Sequence, residues 1–264
     1  MTPIVEDSIN GDKQKNMLLS NRIAVVTGAA LGIGAGVAEL FAQQGADVAL
    51  VDIDGAHCRE RAAAIARAGG KATAYTADVS NRSQLDAAFG TILERHGRID
   101  VLVNNAGIYP RRDFVDMTEA EWDQMQDVNL KSLFYTCKLA VPVMMRHNYG
   151  KIVNISSVTF FKGLPRLSHY VASKGGMIGF SRSLARELGQ YNIYINCVTP
   201  GAIRTEGEDV HADPAAIADI QNRQCLNRRL LPVDVARVCL FLATELSDGL
   251  TGQTINVDGG LVLY

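Results

Sequence analysis

Tyr170 and Lys174 stand four residues apart in the run Tyr-Val-Ala-Ser-Lys, a spacing that stacks two side chains on one face of a helix. An ammonium beside a phenol favours the phenolate and draws its pKa down from an ordinary value of about 10, towards the range useful for acid/base work. Such a pair also arises by chance on solvated helix faces, so alone it settles nothing. Far upstream, Thr27-Gly28-Ala29-Ala30-Leu31-Gly32-Ile33-Gly34 follows an apolar, β-branched run and opens a helical pattern. Glycines there let a ligand approach bare backbone, and the amides and dipole of a helix start suit a pyrophosphate, although glycines at this spacing also serve plain turns. Asp52 lies eighteen residues beyond Gly34, at the end of a second apolar run, where a carboxylate can accept from the hydroxyls of an adenosine ribose. The competing duty for an acid at that point, capping the next helix, suits Asp54 better.

Groups so far apart in the chain need a scaffold that brings them to one edge. From residue 22 onward, short β-branched runs alternate with helical patterns, predicting strands at 22–27, 47–53, 71–77, 99–104, 151–156, 193–199 and 254–257, with a first helix over 34–44. The alternation implies a parallel sheet, and uninterrupted apolar runs such as VALV, VLV and IVNI imply that both of its faces are covered. The expected fold class is therefore α/β: a single-domain, Rossmann-like doubly wound sheet of seven mostly parallel strands with helices on both faces. Glycines at 45, 69, 70, 97 and 150 fall where the intervening helices should end. Residues 1–20 read as a disordered tail and 21–264 as the domain. Within it, the polar stretch 202–231, interrupted by Pro214, is expected to be a mobile loop over the substrate.

Composition removes several classes of function. A formal net charge of −2 with scattered Lys and Arg lacks the basic stripe that a phosphate backbone demands, so no nucleic-acid partner is expected. At 264 residues, 47% hydrophobic and 20% charged, the chain can bury one large core as a soluble protein. The five cysteines (58, 137, 197, 225 and 239) are odd in number, widely spaced and never in a CxxC pair. They fit reduced thiols in the cytoplasm rather than disulfides, and no metal site is expected. Residues 1–20 lack the apolar core of a signal peptide, and no later run reaches the roughly 18 uncharged apolar residues that a membrane span needs.

Taken together, the TGxxxGxG loop, Asn104-Asn105-Ala106-Gly107 at a strand end, Ser157 thirteen residues before Tyr170, the YxxxK and Pro200-Gly201 resemble the short-chain dehydrogenase/reductase family, in order from about Arg22 to the chain end. The resemblance implies an NAD-dependent oxidoreductase that interconverts an alcohol and its carbonyl. Ser157 would hold the substrate oxygen, Tyr170 would exchange the proton with it, and Lys174 would bind the nicotinamide ribose while lowering the tyrosine pKa. Asn129 matches the asparagine that supports a proton-relay water. For the cofactor it implies the loop Gly28, Leu31, Gly32, Ile33 and Gly34, then Asp52 and Ile53. Asp78-Val79 would meet the adenine and Asn105-Ala106-Gly107 the adenine ribose. In Pro200-Gly201-Ala202-Ile203-Arg204-Thr205, the backbone of Ile203 and the hydroxyl of Thr205 would meet the carboxamide and phosphate. A homotetramer is expected from the family, and glycines 175, 176 and 179 in the helix after Tyr170 agree with close packing there.

Two other functions compete. An NADPH-dependent 3-ketoacyl reductase of fatty-acid type calls for a base near the glycine loop or after the second strand, where Leu31 and Ile53 are apolar and Asp52 repels a 2′-phosphate. An inactive dinucleotide sensor calls for loss of Tyr170, Lys174 or Ser157, and all three are present. The segment 159–166 and residues 105–110 are most similar to family members acting on pyridoxal-like, aryl or cyclic secondary alcohols. Arg111, Arg112, Arg166 and Arg204 flank the motifs, which raises a polar or anionic substrate, with surface solvation as the plain alternative.

Overall fold

In a computed structural model, residues 17–206 and 214–263 are described. Seven strands form one sheet: β1 (Ile23–Thr27), β2 (Asp47–Asp52), β3 (Lys71–Thr76), β4 (Val101–Asn104), β5 (Gly150–Ile155), β6 (Ile193–Pro200) and β7 (Thr254–Val257). Their order is β3-β2-β1-β4-β5-β6-β7, and every neighbouring pair is parallel. The connecting helices are α1 (Gly32–Gln43), α2 (Gly55–Arg67), α3 (Arg82–His96), α4 (Glu119–Gln126), α5 (Ser132–His147), the short α6 (Thr159–Lys162), α7 (Ser168–Leu188), α8 (Pro214–Arg223) and α9 (Pro232–Ala243).

Strand pleating divides the apolar runs between two cores. Ala24, Val26, Val48, Leu50, Val101 and Val103 face α1 and α9, where Val37, Phe41, Val235 and Cys239 complete one core. Val25, Ala49, Val51, Leu102, Ile152 and Ile195 face the other way, onto Phe89 of α3, Met144 of α5 and Leu188 of α7. Both faces are thus covered, as the uninterrupted apolar runs require. Because β1 pairs with β2 on one side and β4 on the other, the connections diverge there and leave a crevice beyond the strands' C-terminal ends.

Two expectations need correction. Residues 1–16 lie outside the described residues, but Met17 to Ser20, assigned to the tail, form a turn. Leu19 is 1% exposed in the core, and its amide donates to the Gln44 carbonyl at 2.8 Å. Burial of the leucine, worth roughly 1.5–3 kcal/mol, offsets part of the cost of ordering that turn. In the 202–231 stretch, Pro214 opens α8 rather than interrupting the chain, as its fixed φ and missing N–H allow at a first helical position. Its ends are tied by a bridge between Ile203 and Leu230, while residues 207–213 lie outside the described part.

Candidate active site

The glycine loop sits at the crevice because nothing larger fits. At Gly28 (φ +63°) a Cβ would fall 2.8 Å from Asn105 Nδ2 and from Ala106 Cα, and at Gly34 it would fall 2.0 Å from the Gly28 carbonyl oxygen. Asn105 is the clamp: its Nδ2 donates to the Thr27 and Gly28 carbonyls at 3.0 and 2.9 Å, and Thr27 Oγ1 accepts from the Asn105 and Ala106 amides at 3.0 and 3.2 Å. Leu31 gives α1 no side-chain cap, so the amides of the helix start other than that of Gly32, which Glu206 occupies, remain for an anion. Asp52, half-buried at the end of β2, accepts from Ala30 N and Asp54 N, both at 2.9 Å, which pins it to the loop. Asp54 caps α2 by accepting from His57 N, leaving Asp52 facing the cleft. His57 beside it holds the Asp54 carboxyl below the usual carboxylate range.

The cleft, 870 Å³, is lined by Gly28, Leu31, Gly32, Ile33, Asp52, Ile53, Asp78, Val79, Asn105, Ala106, Gly107 and Thr205. Gly34 lies beneath the loop, and Pro200, Gly201 and Ile203 line a neighbouring cavity instead. Asp78 also orders the turn after β3, with Oδ1 accepting from Ser80 N and Oγ. Among the described residues every charged side chain lining the cleft is acidic: Asp52, Asp54, Asp78, Asp123, Asp127 and Glu206. Behind the glycine loop, Arg61 is held by Glu39, with Glu206 at 3.9 Å and the Ala30 carbonyl at 3.4 Å.

Ser157, Tyr170 and Lys174 meet in the adjoining cavity of 410 Å³. Ser157 follows β5, and the other two share one face of α7, as their spacing predicts. Lys174 is 3% exposed; its Nζ donates to the Ile155 carbonyl at 2.7 Å and lies 5.7 Å from the centre of the Tyr170 ring. Burial brings its pKa down to about 8. Burial also pushes the Tyr170 phenol up, against the hydrogen bond of Ser157, which pulls it down. The expected lowering by Lys174 is therefore not what dominates in the protein alone: desolvation disfavours both charged forms.

Asn129 lies behind these groups, fully buried, in a π turn (Asp127–Lys131) that joins α4 to α5. Its side chain clasps the backbone of Ile108, accepting from N at 2.8 Å and donating to O at 2.9 Å, and also donates to Ser173 Oγ at 3.2 Å. Gly107 separates it from Lys174: a Cβ there would sit 3.2 Å from Asn129 Oδ1 and 3.5 Å from Lys174 Nζ. Three groups able to hold or pass a proton, Ser157, Tyr170 and Lys174, therefore face one opening, with Asn129 buried behind them, an arrangement suited to general acid/base chemistry on a carbonyl or hydroxyl oxygen.

Sequence reasoning missed three participants. Glu206 Oε2 accepts from Gly32 N at 3.1 Å, on the helix start where a pyrophosphate is expected. Lys162 lines the smaller cavity, and the Tyr109 ring stands edge-on to Tyr170 at 6.3 Å. Of the flanking arginines, Arg112 is paired with Glu121 and Arg166 with Asp113 at 3.2 Å, so only Arg111 among those four lines the cavity. Glu206 directly follows Thr205 in the expected cofactor loop, which was the available signal. The pairings that occupy the arginines had none.

This site and sheet define a class of oxidoreductase. The family model described as enoyl-(acyl carrier protein) reductase matches residues 28–262. The 3-oxoacyl-(acyl-carrier-protein) reductase FabG of Thermotoga maritima is 40% identical over 247 residues, covering 94% of this chain and all of that protein. The probable galactose dehydrogenase GalD of Rhizobium meliloti is 39% identical over 245 residues, 92% of this chain and 96% of that one. A crystal structure of a 3-oxoacyl-(acyl-carrier protein) reductase with bound NAD from Brucella melitensis superposes with a TM-score of 0.86 at 34% identity, covering 95% and 96% of the two chains. The chain belongs to the short-chain dehydrogenase/reductase family, whose members bind a nicotinamide dinucleotide. The bare cradle at Gly28 and Gly34, the uncapped start of α1 and the Asp52 carboxylate fit that cofactor.

Proposed function

We propose that the protein is an NAD-dependent dehydrogenase interconverting a secondary alcohol, cyclic or aryl, and its carbonyl. The observation that carries the choice of cofactor is a cleft whose charged lining residues, among those described, are all acids, with Asp52 held by two backbone amides at its ribose end. A 2′-phosphate brought there meets like charge, and no base lines the cleft among the described residues. When bound, the nicotinamide supplies the hydride acceptor. Ser157 orients the substrate oxygen, Tyr170 takes or gives its proton, Lys174 would hold the nicotinamide ribose and favour the phenolate against its desolvation, and Asn129 fixes the backbone beside them and supports the relay water. Asp78 and Val79 bound the adenine end, while Asn105 to Gly107, Pro200, Gly201, Ile203 and Thr205 enclose the remainder.

A 3-ketoacyl reductase is the second reading, favoured by the FabG relatives; the Brucella reductase of that type holds NAD, so membership of that group does not by itself require NADPH. Initial rates with NAD and NADP over a panel of secondary alcohols and a 3-ketoacyl thioester decide between the two: NAD-linked alcohol oxidation is expected, and NADPH-linked reduction of the thioester alone would overturn the proposal. We place the enzyme in the cytoplasm as a homotetramer. Gly175 and Gly176 are filled within their own chain by Phe160 and Leu130, and among the described residues nothing within 4 Å faces Gly179, so only Gly179 leaves α7 room for a partner helix. Light scattering showing a monomer at micromolar concentration would refute the tetramer.

A further inference from the structure

The two adjoining cavities carry opposite charge. Among the described residues the charged groups lining the cofactor cleft are all acids, whereas those lining the catalytic cavity are Arg111, Lys162 and Lys174, with no acid. Lys174 is committed to the Ile155 carbonyl. Among the described residues, Arg111 and Lys162 have no ion-pair or side-chain hydrogen-bond partner, unlike Arg112 and Arg166 nearby. Lys162 is half-buried, which costs an ammonium hydration that no carboxylate contact returns; burial lowers its pKa, Arg223 lowers it further, and Asp219 and Asp258 act weakly the other way. Lys162 also rides on the turn that positions Ser157: the Thr159 amide donates to Ser157 Oγ at 3.2 Å and the Lys162 amide to the Val158 carbonyl at 3.2 Å. The cation and the group that would hold the reacting oxygen thus sit on one hydrogen-bonded turn. The rest of the wall mixes uncharged polar groups, among them Asn105, Tyr109 and Thr159, with the apolar Leu164, Leu167 and Leu261, so the cations are its charged groups and no acid balances them among the described residues.

Resting on the dehydrogenase reading above, we infer that the substrate is a hydroxy acid, its carboxylate received between Arg111 and Lys162 while its hydroxyl sits at Ser157 and Tyr170. Neutral alcohols of the same shape leave both cations without an anionic partner in the complex. The test compares specificity constants for 3-hydroxybutyrate, mandelate and 3-hydroxycyclohexanecarboxylate, each against its own amide, with NAD. The best acid is expected to exceed its amide by tenfold or more, with the ratio falling at least tenfold in Arg111→Gln or Lys162→Gln and staying within twofold in Arg112→Gln. Equal use of acid and amide, or a ratio untouched by both variants, would overturn the inference and leave the dehydrogenase reading standing. Failure of NAD to support oxidation of any acid or amide would instead count against that reading. In that event calorimetry on the NAD-loaded enzyme still decides for the anion: benzoate should bind at least tenfold more tightly than benzamide, with the advantage lost in Lys162→Gln, and equal binding would refute it.

Discussion

Replacing Asp52 by asparagine tests the cofactor assignment with the least change of shape. The carboxylate has two duties, one towards the loop (Ala30 N and Asp54 N, each at 2.9 Å) and one towards the ribose. An amide keeps only one acceptor oxygen, so loosening of the loop is expected and should weaken NAD and NADP alike. The ratio of their specificity constants cancels that common loss and isolates the 2′ position. A charge-assisted hydrogen bond to the ribose is worth roughly 1.5–3 kcal/mol. A like charge about 4 Å away costs roughly 4 kcal/mol at an effective dielectric near 20, reduced by about half in a half-open, salt-filled cleft. Because the terms overlap, we take about 3 kcal/mol for the wild-type preference, or about a hundredfold for NAD. Asp54 and Asp78 remain in the cleft of Asp52→Asn, so the preference should shrink to about tenfold rather than vanish. Initial rates followed by nicotinamide absorbance, varying each cofactor at saturating alcohol, give both ratios. A wild-type preference for NADP, or an unchanged ratio in the variant, would refute the role given to Asp52.

Tyr170→Phe should bind NAD as wild type does and lose turnover by about 10³-fold, within the range that a positioned acid/base supplies; substantial residual activity in a rapid-quench assay would remove Tyr170 from the proton transfer. Because burial raises the Tyr170 phenol and Lys174 loses its proton near pH 8, carbonyl reduction, which uses the phenol, should fall with rising pH. Alcohol oxidation, which uses the phenolate, should rise, and profiles sloping the same way in both directions would contradict this. Gly107→Ala places a methyl 3.2 Å from Asn129 Oδ1 and 3.5 Å from Lys174 Nζ without backbone strain, so kcat should drop about tenfold while Tm changes by no more than about 2 °C; full activity would show that this separation is unimportant. Glu206→Gln removes a charge that occupies the Gly32 amide and should tighten NAD binding by about two- to fivefold in fluorescence titrations. Weaker binding would mean that Glu206 assists the cofactor rather than competing with it.

What the sequence disclosed was local or dictated by backbone. The glycine loop could be read because a Cβ is intolerable at 28 and 34, and the Tyr170–Lys174 pair because helix geometry fixes which residues stack. The sheet's two-sided burial showed in its uninterrupted apolar runs. Less accessible were features that depend on partners far along the chain. Glu206 reaches Gly32 across 174 residues. Arg112 and Arg166 looked equivalent to Arg111 until the fold supplied Glu121 and Asp113 as their partners. Leu19 read as tail because only the assembled core, with the Gln44 carbonyl above it, gives it a place. The pKa balance at Tyr170 depends on desolvation, a property of the enclosed site that spacing cannot express.

The π turn at Asp127–Lys131 makes the catalytic site sensitive to chain length as well as to residue identity. A π turn is an α-helix holding one extra residue, and each residue of an α-helix advances the side chains by about 100°. Deleting a single residue between Gln126 and Ser132 would let α4 and α5 run together as one regular rod, with every backbone hydrogen bond still made. The helix would be more regular than before, yet Asn129 and the face of α4 that packs on α7 would be turned about a quarter of the way round relative to α5. Among proteins sharing this sheet, a one-residue gap at that point would therefore mark a change of chemistry more surely than most substitutions in the lining.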